Sequence, residues 1–142
     1  MAEALFRELV RDSGDYQVAS AGVAAMPGQP ASRHTADILD AAGIDMSHFS
    51  SQPVTAALID SVTHIFAMGM HHIAAIEAEF PEAADKVFLI TEFAADDKLR
   101  GRDIVDPFGM SRSAYENLRS MLEQILPSVK AFIDSTHKST PS

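Results

Sequence analysis

The 142-residue sequence contains no cysteine. That excludes disulfides, thiolate metal sites and any cysteine nucleophile supplied by these residues. Positive charge is also scarce: 11 Lys and Arg stand against 20 Asp and Glu, for a formal net charge of -9. This balance argues against nucleic acid or an anionic membrane as partner, while leaving room for local basic patches. No apolar run is long enough to span a bilayer, and the first residues lack the apolar core of a signal peptide. A cytoplasmic protein is the expectation. No linker and no internal repeat divides the chain, and 46% hydrophobic residues suffice for one compact domain with a sizeable core.

What is present reads as helices alternating with short apolar runs. Residues 1–13 predict a helix with Ala2, Leu5, Phe6, Leu9 and Val10 inward, although no Ser, Thr, Asp or Asn precedes it as a cap. Gly14 ends it. Residues 16–20 predict a short strand and residues 23–30 a loop. Residues 32–42 predict a helix with Ala36, Leu39 and Ala42 inside and Gly43 as its stop. An irregular polar stretch, 44–53, leads to a short helix over about 54–59. Strands are then predicted at 64–68 and 86–90, with a helix at 70–80 between them that Pro81 terminates. Strands separated by helices imply parallel pairing through right-handed crossovers. A polar, mobile loop is expected over 94–102. Ser113 to Glu116 has the capping-box pattern of a helix start. Tyr115, Leu118, Leu122, Ile125, Val129 and Phe132 then mark one apolar helix face, which Pro127 should bend. Residues 135–142 form a polar, frayed tail.

The most informative stretch is Asp103-Ile-Val-Asp-Pro-Phe-Gly109. Pro107 fixes its own φ and biases Asp106 toward an extended backbone. Phe108 follows, and a carboxylate beside an apolar ring can have its pKa raised toward the range of a general acid. An ordinary Asp-Pro turn before a helix is the competing reading.

Other polar residues carry weaker signals. His71 and His72 are adjacent, so their side chains are expected to point in different directions and not to form a helical metal pair. His34 and His64 read as surface or structural residues. His48 stands among hydroxyls in a polar loop, where an imidazole could orient a neighbour or simply be solvated. Ser20-Ala-Gly22 ends a predicted strand, the place where ligands bind in open α/β sheets, and it also reads as a tight exit turn. Asp96, Asp97, Arg100 and Arg102 read as solvated loop charge.

Taken in order, Met1-Ala-Glu-Ala-Leu-Phe6, Ser20-Ala-Gly22, Gly43-Ile-Asp45 with His48, Phe66-Ala-Met68 and the Asp103 to Gly109 turn followed by Tyr115 resemble the low-molecular-weight protein tyrosine phosphatases. The resemblance extends to about Asp134. It implies an α/β, three-layer, flavodoxin-like phosphotyrosine phosphatase I fold, a parallel sheet flanked by helices, over residues 1–134. It also implies a phosphorylated protein as substrate and no metal or organic cofactor. Asp106 would be the general acid and base, and Phe108 would line the pocket. His48 and Ser20 would support the phosphate loop. Within the family, His48-Phe-Ser-Ser51 and the Asp103 turn look most similar to the bacterial branch that includes protein arginine phosphatases. Arsenate reductases of the same fold fit less well, since no resolving cysteine is present.

The sequence departs from the family at its beginning. Family members open with an apolar strand and a phosphate loop running from Cys to Arg, then Ser-Pro, and only then the helix that starts here at Met1. The expectation is a chain that lacks the first, central strand of the sheet, through a misplaced start, an alternative product or a choice of boundaries. Without the thiolate and the anion-cradling loop, no phosphatase activity is expected from it. Filling the gap is expected to favour a dimer or a strand-exchanged assembly. The rival expectation is a non-catalytic binding or regulatory protein that keeps the fold.

Overall fold

The computed structural model describes residues 1–12, 16–22, 28, 31–46, 49–105, 107 and 110–137. They fall into two compact units, residues 1–55 with 106–122 and residues 56–105 with 123–142.

In the first unit, helix α1 spans Ala2–Leu9 and α2 spans Arg33–Ala41. Met1 occupies the cap position of α1 with no side-chain bond, in keeping with a sequence that offers no capping residue. The helix stops four residues before the expected Ser13, after the Val10 N–H bonds back to the Phe6 carbonyl at 3.0 Å. Ala4, Leu5, Phe6 and Val10 are buried, whereas Leu9, expected inside, is exposed. Ser32 caps α2 by accepting the Thr35 N–H at 3.2 Å. Gly43 closes α2 at a φ of +81°, a conformation that glycine adopts without steric cost, and the Ile44 N–H returns to Leu39 O at 2.8 Å. Thr35, Ile38 and Leu39 are buried, which turns the inner face of α2 slightly from the expected Ala36, Leu39 and Ala42.

The strand expected at 16–20 is not one. A strand requires a row of backbone partners, and among the described residues the pairing here is one isolated bridge at Gly22. Gly22 donates to Gln52 O at 3.0 Å and accepts from the Val54 N–H at 3.2 Å, an isolated parallel bridge to Pro53. Side chains take the neighbouring carbonyls instead: the Arg7 guanidinium donates to Val18 O, and Gln52 Nε2 donates to Ser20 O at 2.9 Å.

The second unit holds the sheet. Strands β1, Ile65–Ala67, and β2, Val87–Leu89, pair in parallel, with Ile65 opposite Val87, Phe66 opposite Phe88 and Ala67 opposite Leu89. Helix α3, Ala56–Ser61, precedes β1, and α4, Met70–Glu79, makes the crossover and packs on both strands. A 3-10 helix not foreseen from the sequence, Pro81–Lys86, follows α4. It returns Lys86 to α3, where Nζ donates to Ile59 O and to Val62 O, the latter at 2.9 Å. Phe66 and Phe88 share one sheet face, 5.8 Å apart, and Phe93 and Phe132 pack edge-on to them. His64 joins this group as a structural residue, its ring nitrogens bonded to the Thr63 and Thr136 hydroxyls at 2.8 Å. The architecture is thus α/β, a parallel sheet flanked by helices, with two strands among the described residues.

Helix α5 runs from Arg112 to His137, with Pro127 inside it, and continues past the expected start of the tail at Ser135. Tyr115, Leu122, Ile125, Leu126 and Val129 are buried along it. The capping box is not formed. Glu116 instead pairs with Arg112 one turn earlier at 3.1 Å, because the helix already begins at Arg112.

Candidate active site

Of the residues the sequence singles out, Asp106, Phe108 and His48 lie outside the described residues, and Ser20 lies within them. Ser20 ends the segment whose Val18 and Ser20 carbonyls Arg7 and Gln52 hold. Its hydroxyl donates to Glu3 Oε1 at 2.6 Å, and the other Glu3 oxygen pairs with Arg7 at 3.0 Å. Glu3 is therefore the hub that fixes Ser20 to the first turn of α1. A hollow of about 550 Å³ opens beside this hub, lined among others by Glu3, Arg7, Val18, Asp45, Phe49 and Gln52. Sequence reasoning missed Glu3, which carries no local signal beyond its helical spacing to Arg7.

The residues leading into the Asp106 turn are held closely. Thr91 Oγ1 donates to Arg102 O at 2.6 Å, Asp103 Oδ1 accepts the Met70 N–H at 2.9 Å, and the Ile104 N–H donates to Met68 O at 2.7 Å. Ile104 and Thr91 are buried. Pro107, next to Asp106 in sequence, is buried and its carbonyl accepts the Met110 N–H at 2.8 Å. Asp103 was also missed as a participant. A signal existed: α4 starts after Gly69, which has no side chain to cap it, so an acceptor had to come from elsewhere.

The remaining candidates separate cleanly. His34 packs its ring 5.0 Å from Tyr115, a structural role. His71 and His72 do not diverge as expected. Their rings lie 3.9 Å apart at 40°, because the His71 ring folds back over Gly69, whose missing Cβ leaves the space. Among the described residues no group of three or more His, Cys, Asp and Glu converges on a metal position. In the 94–102 loop, Asp96 accepts the Lys98 N–H at 2.9 Å, while Arg100 donates to the Ala94 and Ala95 carbonyls and pairs with Asp97 at 3.0 Å. These charges organise their own turn. No helix among the described residues is long and apolar enough to cross a membrane.

Comparison with known proteins agrees with this arrangement. The family model described as low molecular weight phosphotyrosine protein phosphatase matches residues 1–139. A protein-arginine-phosphatase of Bacillus subtilis is 36% identical over 127 residues, covering 89% of this chain and 82% of its own. The low molecular weight protein-tyrosine-phosphatase Etp of Escherichia coli is 31% identical, covering 76% and 70%. The solved structure of the YwlE arginine phosphatase from Geobacillus stearothermophilus superposes with a TM-score of 0.84 at 32% identity, covering 99% of this chain and 88% of that one. The chain thus belongs to the low molecular weight phosphotyrosine protein phosphatase family.

Proposed function

We propose that this chain carries the acid-base and pocket residues of a hydrolase that removes phosphoryl groups from phosphoarginine or phosphotyrosine side chains of cytoplasmic proteins. In this reading a thiolate attacks phosphorus, the P–N or P–O bond breaks, and Asp106 gives its proton to the departing nitrogen or oxygen. The Asp106 carboxylate then takes a proton from water as that water attacks the phosphocysteine, which releases phosphate and regenerates the thiolate. Phe108 lines the pocket, and His48 and Ser20 support the phosphate loop. Residues 1–134 form the phosphatase domain, and the polar tail follows the end of α5 at His137.

The observation that carries this reading is the Asp-Pro-Phe-Gly sequence at 106–109 within a chain 36% identical to an arginine phosphatase over 127 residues. The preference for the arginine branch over the tyrosine branch rests on that similarity. The thiolate cannot come from these 142 residues, which contain no cysteine. The chain alone is therefore proposed not to turn over. Assay of material confirmed by mass to begin at Met1, against para-nitrophenyl phosphate and phosphoarginine, tests this, and measurable hydrolysis would overturn it.

The absence of cysteine also favours a second reading, a binding or regulatory protein that retains the fold without the chemistry. The codons upstream of Met1 separate the two. An in-frame apolar strand and Cys loop supports the hydrolase, and a stop codon supports the binding protein.

A further inference from the structure

We propose that His64 is a latch that keeps the last turn of α5 helical, acting as the Nε2–H tautomer in a one-way chain of hydrogen bonds. The inference lies wholly within the second unit and does not depend on any phosphatase role.

The last turn of α5 has little reason of its own to be a helix. Residues 133–137 read Ile-Asp-Ser-Thr-His, and Asp, Ser and the β-branched Thr are weaker helix formers than Ala, Leu or Lys. The sequence predicts fraying from Ser135, yet the helix continues to His137. A Lys130–Asp134 pair at 2.9 Å bridges one turn, and helix pairs of this spacing contribute little. His64 supplies a tie from outside the helix. It stands immediately before β1, 72 residues from Thr136, and its Nε2 lies 2.8 Å from Thr136 Oγ1.

The direction of that bond follows from the hydroxyls. Thr136 Oγ1 lies 3.1 Å from both Phe132 O and Ile133 O, the carbonyls to which a threonine within a helix ordinarily sends its proton. With the proton directed there, Oγ1 turns a lone pair to the ring, so Nε2 carries the hydrogen. A neutral imidazole has one donor and one acceptor nitrogen. Nδ1 is then the acceptor, and the Thr63 hydroxyl donates to it at 2.8 Å. Donation thus runs from Thr63 through the ring to Thr136 and on to the helix carbonyls, an order in which each bond polarises the next.

Aromatic neighbours fix the plane of the ring. His64 stacks parallel to Phe66 within 3°, at 6.1 Å, and meets Phe132 edge-on at 5.7 Å. Phe132 belongs to α5 and lies one turn before Thr136, so packing and hydrogen bonding seat the same stretch of helix against β1.

Nuclear magnetic resonance of the 142-residue chain tests the proposal. Long-range proton–nitrogen spectra of the His64 ring, recorded about two pH units above the ordinary imidazole pKa, should show the hydrogen on Nε2. A hydrogen on Nδ1, or on both nitrogens, overturns the assignment. Thr136→Val keeps the β-branched shape and removes the hydroxyl. It should speed amide exchange at 133–137 by about two- to tenfold and leave 123–129 unchanged. Thr136→Ser keeps the hydroxyl and should hold exchange within about twofold of the parent. His64→Phe keeps the ring packing without the nitrogens and should match Thr136→Val. If the phenylalanine variant fails to fold, the two threonine variants decide. The latch is overturned if Thr136→Val leaves 133–137 unchanged, if its effect spreads evenly over 123–137, or if Thr136→Ser behaves as valine does.

Discussion

The Ser20 hydroxyl donates to Glu3 Oε1 at 2.6 Å and thereby joins the first turn of α1 to a segment 17 residues along the chain. The Glu3 side chain is only 16% exposed, so this bond is less diluted by water than a surface pair. Glu3→Ala is expected to lower unfolding stability by about 1–3 kcal/mol. In a double-mutant cycle with Ser20→Ala, read by urea denaturation, the two changes should couple by about 1 kcal/mol. Strict additivity would show that the contact contributes nothing.

Lys86 closes the end of α3, with its ammonium shared between the Ile59 and Val62 carbonyls. Ile59 lies in the last turn of α3 and Val62 follows its last residue, so the charge complements the negative end of the helix. Lys86→Met keeps the aliphatic stem and removes the donor. It should cost about 1–3 kcal/mol by chemical denaturation, with the earliest exchange at residues 56–62. A change within about 0.5 kcal/mol, as for an ordinary surface substitution, would refute the capping role.

Gly69→Ala would bring a Cβ to 2.8 Å from His71 Cε1 and 3.3 Å from Asp103 Cγ. Since the His71 side chain is 70% exposed, its ring can swing away. The expected loss is therefore modest, about 1 kcal/mol, and most of it should vanish in a His71→Ala background. Equal losses in both backgrounds, measured by thermal unfolding, would place the strain at Asp103 instead.

Helix ends and apolar runs were legible in the sequence because their causes are local. Gly43 stops α2 through a positive φ, Pro81 follows the end of α4, and the runs around Phe66 and Phe88 become β1 and β2. Residues 16–20 misled because a strand is defined by its partners, and the bridge found among the described residues lies beyond them, at Gly22. The capping box at Ser113 failed because Arg112 already sits in the helix and claims Glu116. For the site, the family stretches nominated Asp106, Phe108, His48 and Ser20, and of these Ser20 alone lies among the described residues. Glu3 and Asp103 stayed hidden because their partners, Ser20 and Met70, lie 17 and 33 residues away and no periodicity links them.

The sheet also bears on assembly. Among the described residues the sheet is two strands of three residues each, which have little independent stability, and strand edges invite pairing with another chain. The expectation is a dimer or strand-exchanged assembly. Size-exclusion chromatography with light scattering should give about twice the 15.3 kDa chain mass, and a single sharp peak at the chain mass would contradict it.

The central claim is that Asp106 is a competent proton donor waiting on a thiolate. Its most direct test joins a strand and Cys-containing phosphate loop of the family's pattern ahead of Met1 and measures kcat on phosphoarginine and phosphotyrosine, with and without Asp106→Asn. The account predicts that turnover appears with the added loop and that Asp106→Asn lowers kcat by roughly 10²- to 10⁴-fold, the usual contribution of a general acid. Turnover indifferent to Asp106→Asn would contradict it, as would a folded, loop-bearing protein that hydrolyses neither substrate.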